Sequence, residues 1–275
     1  MTNKWLKVAL MVTAIATGTS IKIDAETVLY VPQDDRPVSL QYTVDTAREA
    51  GMTVLTPPQH LISGKTYQGQ ADQIMAWVEQ NAGRADVMVL STDTLIYGGL
   101  VDSRKHNIPL STLQNRLKRI EGLKARNKNV RIYGFGTVMR SPRASGGGTE
   151  PAYYAEYGPT IFQIAALQDK LDSGSLTQEE TQKLMSLQAC VPVEYLQDWF
   201  DRRQKNMKIN KELIDETRSG VFDYFALGHD DTSQLSQSAL EGRYLNKYSK
   251  DISVEKYGSF PGADQLGLLL MARSR

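Results

Sequence analysis

Short apolar runs recur along this chain, each released into a polar or glycine-bearing segment and followed by an amphipathic stretch. Thr27-Val28-Leu29-Tyr30-Val31 is the first. Its apolar positions are consecutive rather than alternate, as a strand buried on both faces requires. It predicts a parallel strand over 27–31, ended by Pro32. A helix over 40–50 follows and stops at Gly51. The same alternation predicts strands over 52–55, 87–90, 130–136 and 224–227, with helices over 71–80, 111–125 and 237–248. Residues 160–219 carry no strand signal and are predicted helical, broken at Ser173-Gly174 and Pro192. A weaker last unit runs from Pro261-Gly262-Ala263-Asp264 into an apolar stretch over 266–271.

Strands alternating with helices demand parallel pairing through crossover connections. The predicted fold is α/β, parallel-stranded and (β/α)-barrel-like, with a helical insertion at about 160–219. About six βα units are visible, so a barrel of eight would be incomplete, and an open doubly wound sheet satisfies the same order.

Composition adds bounds. The chain has 275 residues, 41% hydrophobic and 23% charged, which suits a folded domain with a full core. A net charge of +1 gives no electrostatic case for a nucleic-acid partner. At the N-terminus, Lys4 and Lys7 precede an apolar run over 8–16, small residues and then Ala25. That pattern predicts a secretory signal peptide over 1–25, too short an apolar run for a stable span, ahead of a single α/β domain over 26–275. The expected location is secreted, periplasmic or cell envelope, with no stable membrane span after cleavage. Cys190 is the sole cysteine, so no intrachain disulfide forms. With no basic neighbour, it is expected as a packed thiol within the helical insertion.

The chemistry gathers at strand ends. Asp34 and Asp35 follow the first strand, Asp93 the third, and His229-Asp230-Asp231 the fifth. In a parallel sheet these ends share one side, where α/β enzymes keep their sites. Carboxylates are costly to bury unpaired, so a ligand, a cation or Arg36, Arg104, Arg140 and Arg143 should meet them. Helix capping by Asp230 and Asp231 ahead of 237–248 is the local alternative. Gly134 and Gly136 are not followed by glycine at Met139, so no dinucleotide fingerprint is present.

Five segments taken together carry a resemblance: residues 31–38, Asp93-Thr94-Leu95-Ile96-Tyr97-Gly98-Gly99-Leu100 with Arg104, Arg140-Ser141 with Glu150 and Tyr153, Gly228-His229-Asp230-Asp231, and Pro261-Gly262-Ala263-Asp264. Over nearly all of 26–275 the chain resembles the bacterial family of domain of unknown function 4127. The resemblance implies a barrel-like catalytic half and a truncated member, since relatives are longer. Gln33 and Gln265 depart from the Leu and Glu usual there.

The acidic pair also looks like the dyads of substrate-assisted hexosaminidases, so the leading expectation is a glycoside hydrolase-like enzyme acting on a small-molecule or glycan substrate. In that reading Asp230 steadies the substrate acetamide and Asp231 protonates the leaving oxygen. Asp34, Asp35, Arg36, Asp93, Tyr97, Arg104, Arg140, Glu150, Tyr153, His229 and Asp264 would bind substrate, and no cofactor is expected. Two alternatives stay open. A metal-dependent hydrolase would use Asp34, Asp35, Asp93, His229, Asp230 and Asp231 on a divalent ion, although His60 and His106 lie apart from them. The other is a non-catalytic envelope binding protein or truncated homologue.

Overall fold

The computed structural model describes residues 25–231 and 233–275. The signal peptide predicted over 1–25 lies, apart from Ala25, outside the described residues. Six parallel strands form the sheet: β1 (Thr27–Val31), β2 (Thr53–Leu55), β3 (Val87–Ser91), β4 (Arg131–Val138), β5 (Tyr224–His229) and β6 (Tyr257–Pro261). Their spatial order is β2-β1-β3-β4-β5-β6, so the sheet is open, with β2 and β6 at its edges. The chain leaves β1 for β2 on one side, then crosses back to β3 on the other. The gap between the connections after β1 and β3 is therefore the topological switch point, where open α/β sheets form a crevice.

Period-two alternation divides the strand residues between two cores. Leu29, Val31, Met88, Leu90, Phe225 and Leu227 face helices α2 (Ala71–Asn81), α5 (Leu110–Arg126), α8 (Val193–Ser219) and α9 (Gln237–Tyr248). Val28, Tyr30, Val89 and Ala226 face α1 (Gln41–Glu49) and α10 (Leu266–Arg273). Right-handed crossovers running in opposite directions land on opposite faces, which separates α1 from α2.

The connection from β4 to β5 carries α6 (Tyr154–Asp172), α7 (Gln178–Ala189) and α8. Its outer part has a core of its own, built on Tyr154, Ile161, Ile164, Leu184 and a fully buried Trp199. The C-terminal half of α8 instead joins the sheet core through Ile209, Leu213 and Ile214. Cys190 is exposed rather than packed. The inward stripe runs Leu184, Leu187, Val191 at three- and four-residue spacing, and Cys190 falls one position off it.

Two short helices follow β3: α3 (Thr92–Tyr97) and α4 (Asp102–Lys105). Ser91 caps α3 by accepting from Thr94 N at 3.3 Å. Gly98 ends it in the left-handed region at φ +113°, which side-chain-bearing residues rarely adopt. Gly99 is required for a different reason: a Cβ there would lie 1.8 Å from Ser63 Oγ and 3.2 Å from Gln33 O. Ser63 is itself buried, so its hydroxyl has little room to yield. Gly99→Ala is expected to destabilise the fold by about 1–3 kcal/mol through overpacking. Urea unfolding measures this, and a change within about 0.5 kcal/mol would contradict the close approach.

Candidate functional site

A cavity of about 350 Å³ opens at the C-terminal side of the sheet. Asp34 and Arg36 reach it from the β1–α1 loop, Arg104 from α4, Arg140 from the segment after β4, and Asp230 from just past β5. Asp264, from the β6–α10 loop, and Lys65, from the β2–α2 loop, complete its charged lining. Arg36 bridges two carboxylates, Nε donating to Asp34 at 2.7 Å and Nη2 to Asp264 at 2.7 Å. Arg104, almost wholly buried, donates to Asp230. Arg140 is fastened by Glu150 and, at 2.7 Å, by Thr149 Oγ1. Glu150 in turn accepts from Gly146 N at 2.7 Å, which folds the glycine-rich loop against the cavity.

Strand parity decides which of the three consecutive polar residues after Gly228 meets the cavity. His229 lies on the α9 side, where its ring would touch a Cβ on Gly242, and its Nε2 is 2.7 Å from Ser259 Oγ on β6. Asp230, one residue on, points to the opposite side and into the cavity. Asp231 turns away: its Oδ1 accepts from Ser233 N at 2.9 Å, and its buried Oδ2 meets no partner among the described residues. Neither acid caps α9, because Ser236 does so, accepting from Ala239 N at 3.1 Å.

Other residues considered from sequence lie outside the cavity lining, among them Arg143, whose guanidinium stacks on Phe162 at 4.9 Å from the ring centroid. Asp35 accepts from Tyr67 OH at the surface. Tyr97 stacks on His106 with centroids 4.9 Å apart, in the core. Tyr153 donates to Asp198 at 2.6 Å and stacks on Tyr195 within the helical insertion. Asp93 is buried behind the cavity, accepting from Thr137 Oγ1 at 2.7 Å. Lys65 and Thr149 line the cavity without having been singled out in sequence, since each sits in an exposed loop with no neighbouring motif. Gln33, which in sequence stands out only as a departure from the family pattern, donates to Asp264 at 3.3 Å.

Burial sets the electrostatics. It pushes the Asp93 carboxyl up to about 7, against the hydrogen bonds of Thr137 and the charge of Arg104, with a smaller upward push from Asp230. Burial also raises the Asp230 carboxyl, opposed mainly by Arg104 and Arg140 and assisted by the nearby Asp264 charge. It holds His229 below its ordinary value, favouring the neutral ring. Because the folded Asp93 binds its proton more tightly than the unfolded chain does, its contribution favours folding less as pH rises from about 4 to about 7. Asp93→Asn cannot ionise and should gain stability relative to the parent across that window, by up to about 4 kcal/mol. Unfolding both proteins at pH 5 and pH 7.5 tests this, and a pH-independent difference would contradict it.

Among the described residues, no three His, Cys, Asp or Glu side chains converge to hold a metal ion. The donor set of the metal-dependent alternative is therefore not assembled. Also among the described residues, no helix is long and apolar enough to cross a membrane.

Fold and site together define an open, parallel α/β protein with a charged cavity at the ends of its strands. The chain belongs to the family described as Protein of unknown function (DUF4127), whose sequence pattern matches residues 28–275. No protein of curated description matches the chain.

Proposed function

We propose that the protein is a hydrolase acting on a glycoside or close carbohydrate derivative, with Asp230 as the carboxyl that transfers the proton. One observation carries this reading: a carboxyl raised by burial, anchored by Arg104, opens on a cavity that a second carboxyl, Asp264, also lines. Glycoside cleavage commonly uses two such groups, one supplying a proton to the leaving oxygen. A carboxyl raised above its ordinary value keeps that proton to higher pH. Asp231, whose Oδ1 is occupied in a turn, is less available for the role than Asp230. Asp34, Arg36, Lys65 and Arg140 supply donors and acceptors suited to sugar hydroxyls. The basic and apolar leader pattern of residues 1–25 supports an envelope or secreted location.

The test is turnover by the full chain on a panel of aryl glycosides and glycans, alongside Asp230→Asn. Cleavage of at least one substrate, lost in the variant, supports the reading. Absence of turnover across the panel sinks it.

A further inference from the structure

Asp230 and Asp264 do not line one cavity only. A second cavity, also of about 350 Å³, lies against the same two carboxyls from the direction of β6 and α10. The two spaces differ in chemistry. The first presents Arg36, Lys65, Arg104 and Arg140. The second presents the carbon surfaces of Pro261, Ala263, Leu266 and Leu269, and neither lysine nor arginine is among its described lining residues. A bond under cleavage has a unit on each side, and each unit needs room beside the proton-transferring group. Two cavities sharing one carboxyl wall provide that room.

We propose that the second cavity is the leaving-group subsite and that it takes an uncharged unit with an apolar face. This rests on the glycoside reading and extends it to substrate class. The hydroxyl-rich sugar lies among the paired arginines and carboxylates of the first cavity. Its leaving group lies across Asp230, against Pro261 and Leu269. Asp230 and Asp264 already pair with Arg104 and Arg36, so the second cavity has no cation of its own among its described lining residues, and an anion placed there would lose water without gaining a partner. Exclusion of the wrong charge, together with apolar contact, is how such a subsite would discriminate.

Leu269 is the residue to change, because 51% of its surface is exposed and its substitution leaves the core intact. Calorimetry of the full chain would compare methyl, phenyl and 4-carboxyphenyl thioglycosides, which resist hydrolysis and so report binding alone. The phenyl compound is expected to bind about tenfold tighter than the carboxyphenyl one. Leu269→Lys should narrow that ratio to about threefold or less while leaving the methyl compound unaffected. Leu269→Gln separates lost apolar contact from added charge: it should weaken the phenyl compound without rescuing the carboxyphenyl one. Binding that does not distinguish phenyl from carboxyphenyl, or that ignores Leu269→Lys, overturns the subsite assignment and leaves the glycoside reading standing. If no thioglycoside binds and no glycoside is turned over, both fall together.

Discussion

Arg203→Met is expected to destabilise the protein by about 3–5 kcal/mol, lowering the thermal midpoint by on the order of 10 °C. Arg203 is 1% exposed and lies in α8, against α9 and the end of β4. Its guanidinium donates to both oxygens of Glu241, at 2.8 and 2.7 Å, and to the carbonyls of Met139 and Arg140, at 2.6 and 2.9 Å. Methionine matches much of the arginine volume but donates nothing. Glu241 would then be left charged and largely buried, with Gln237, at 3.1 Å, its one remaining side-chain donor among the described residues. The Arg140 carbonyl would lose this donor as well, whereas the Met139 carbonyl keeps Ser238 Oγ at 2.9 Å. The double variant Arg203→Met/Glu241→Leu removes the stranded charge and should recover much of the loss. Chemical denaturation of Arg203→Met, Glu241→Leu and the double variant closes the cycle. A single variant as stable as the parent would show that the ion pair contributes nothing net. The change should also loosen Arg140, whose carbonyl Arg203 holds and whose side chain lines the cavity.

Asp230→Asn is expected to lower glycoside turnover by about 10²–10⁴-fold, the usual worth of a positioned general acid. Asparagine keeps the shape and an acceptor for Arg104, but it cannot release a proton. Loss of the ion pair should destabilise the fold by only about 1–2 kcal/mol, because an uncharged acceptor remains and burial already disfavours the aspartate charge. The variant would therefore be folded and inactive. The pH profile gives the sign. A general acid must hold its proton, so parent activity should fall as pH rises through the raised Asp230 value, and residual activity of Asp230→Asn should lack that limb. An unchanged alkaline limb in the variant would assign the proton to another group.

Much of the fold was legible because its signals are local. Continuous apolar runs at 27–31, 87–90 and 224–227 mark strands covered on both faces, and each lies within an observed strand. The last strand, β6, and the two short helices after β3 carry no predicted range of their own, for different reasons. In β6, Gly258, Ser259 and Pro261 interrupt the apolar pattern, yet strand pairing with β5 holds the segment in line. Helix α3 is buried at every position, so it shows no polar face from which a helical period can be read.

Chain order and residue type by themselves determined the parallel α/β class and the placing of Asp34, Asp93 and Asp230 at strand ends, because strand direction and apolar period are properties of neighbouring residues. Tertiary structure alone decided the sheet order, which depends on which side of β1 each crossover returns to. It alone decided that Asp230 rather than His229 or Asp231 faces the cavity, since that turns on strand parity carried past the end of β5. The partners were also beyond sequence: Arg104 meets Asp230 across 126 residues and Arg36 meets Asp264 across 228. Such pairs need loops from distant strands gathered on one side of the sheet, and their charges leave no periodic trace in the chain that brings them together.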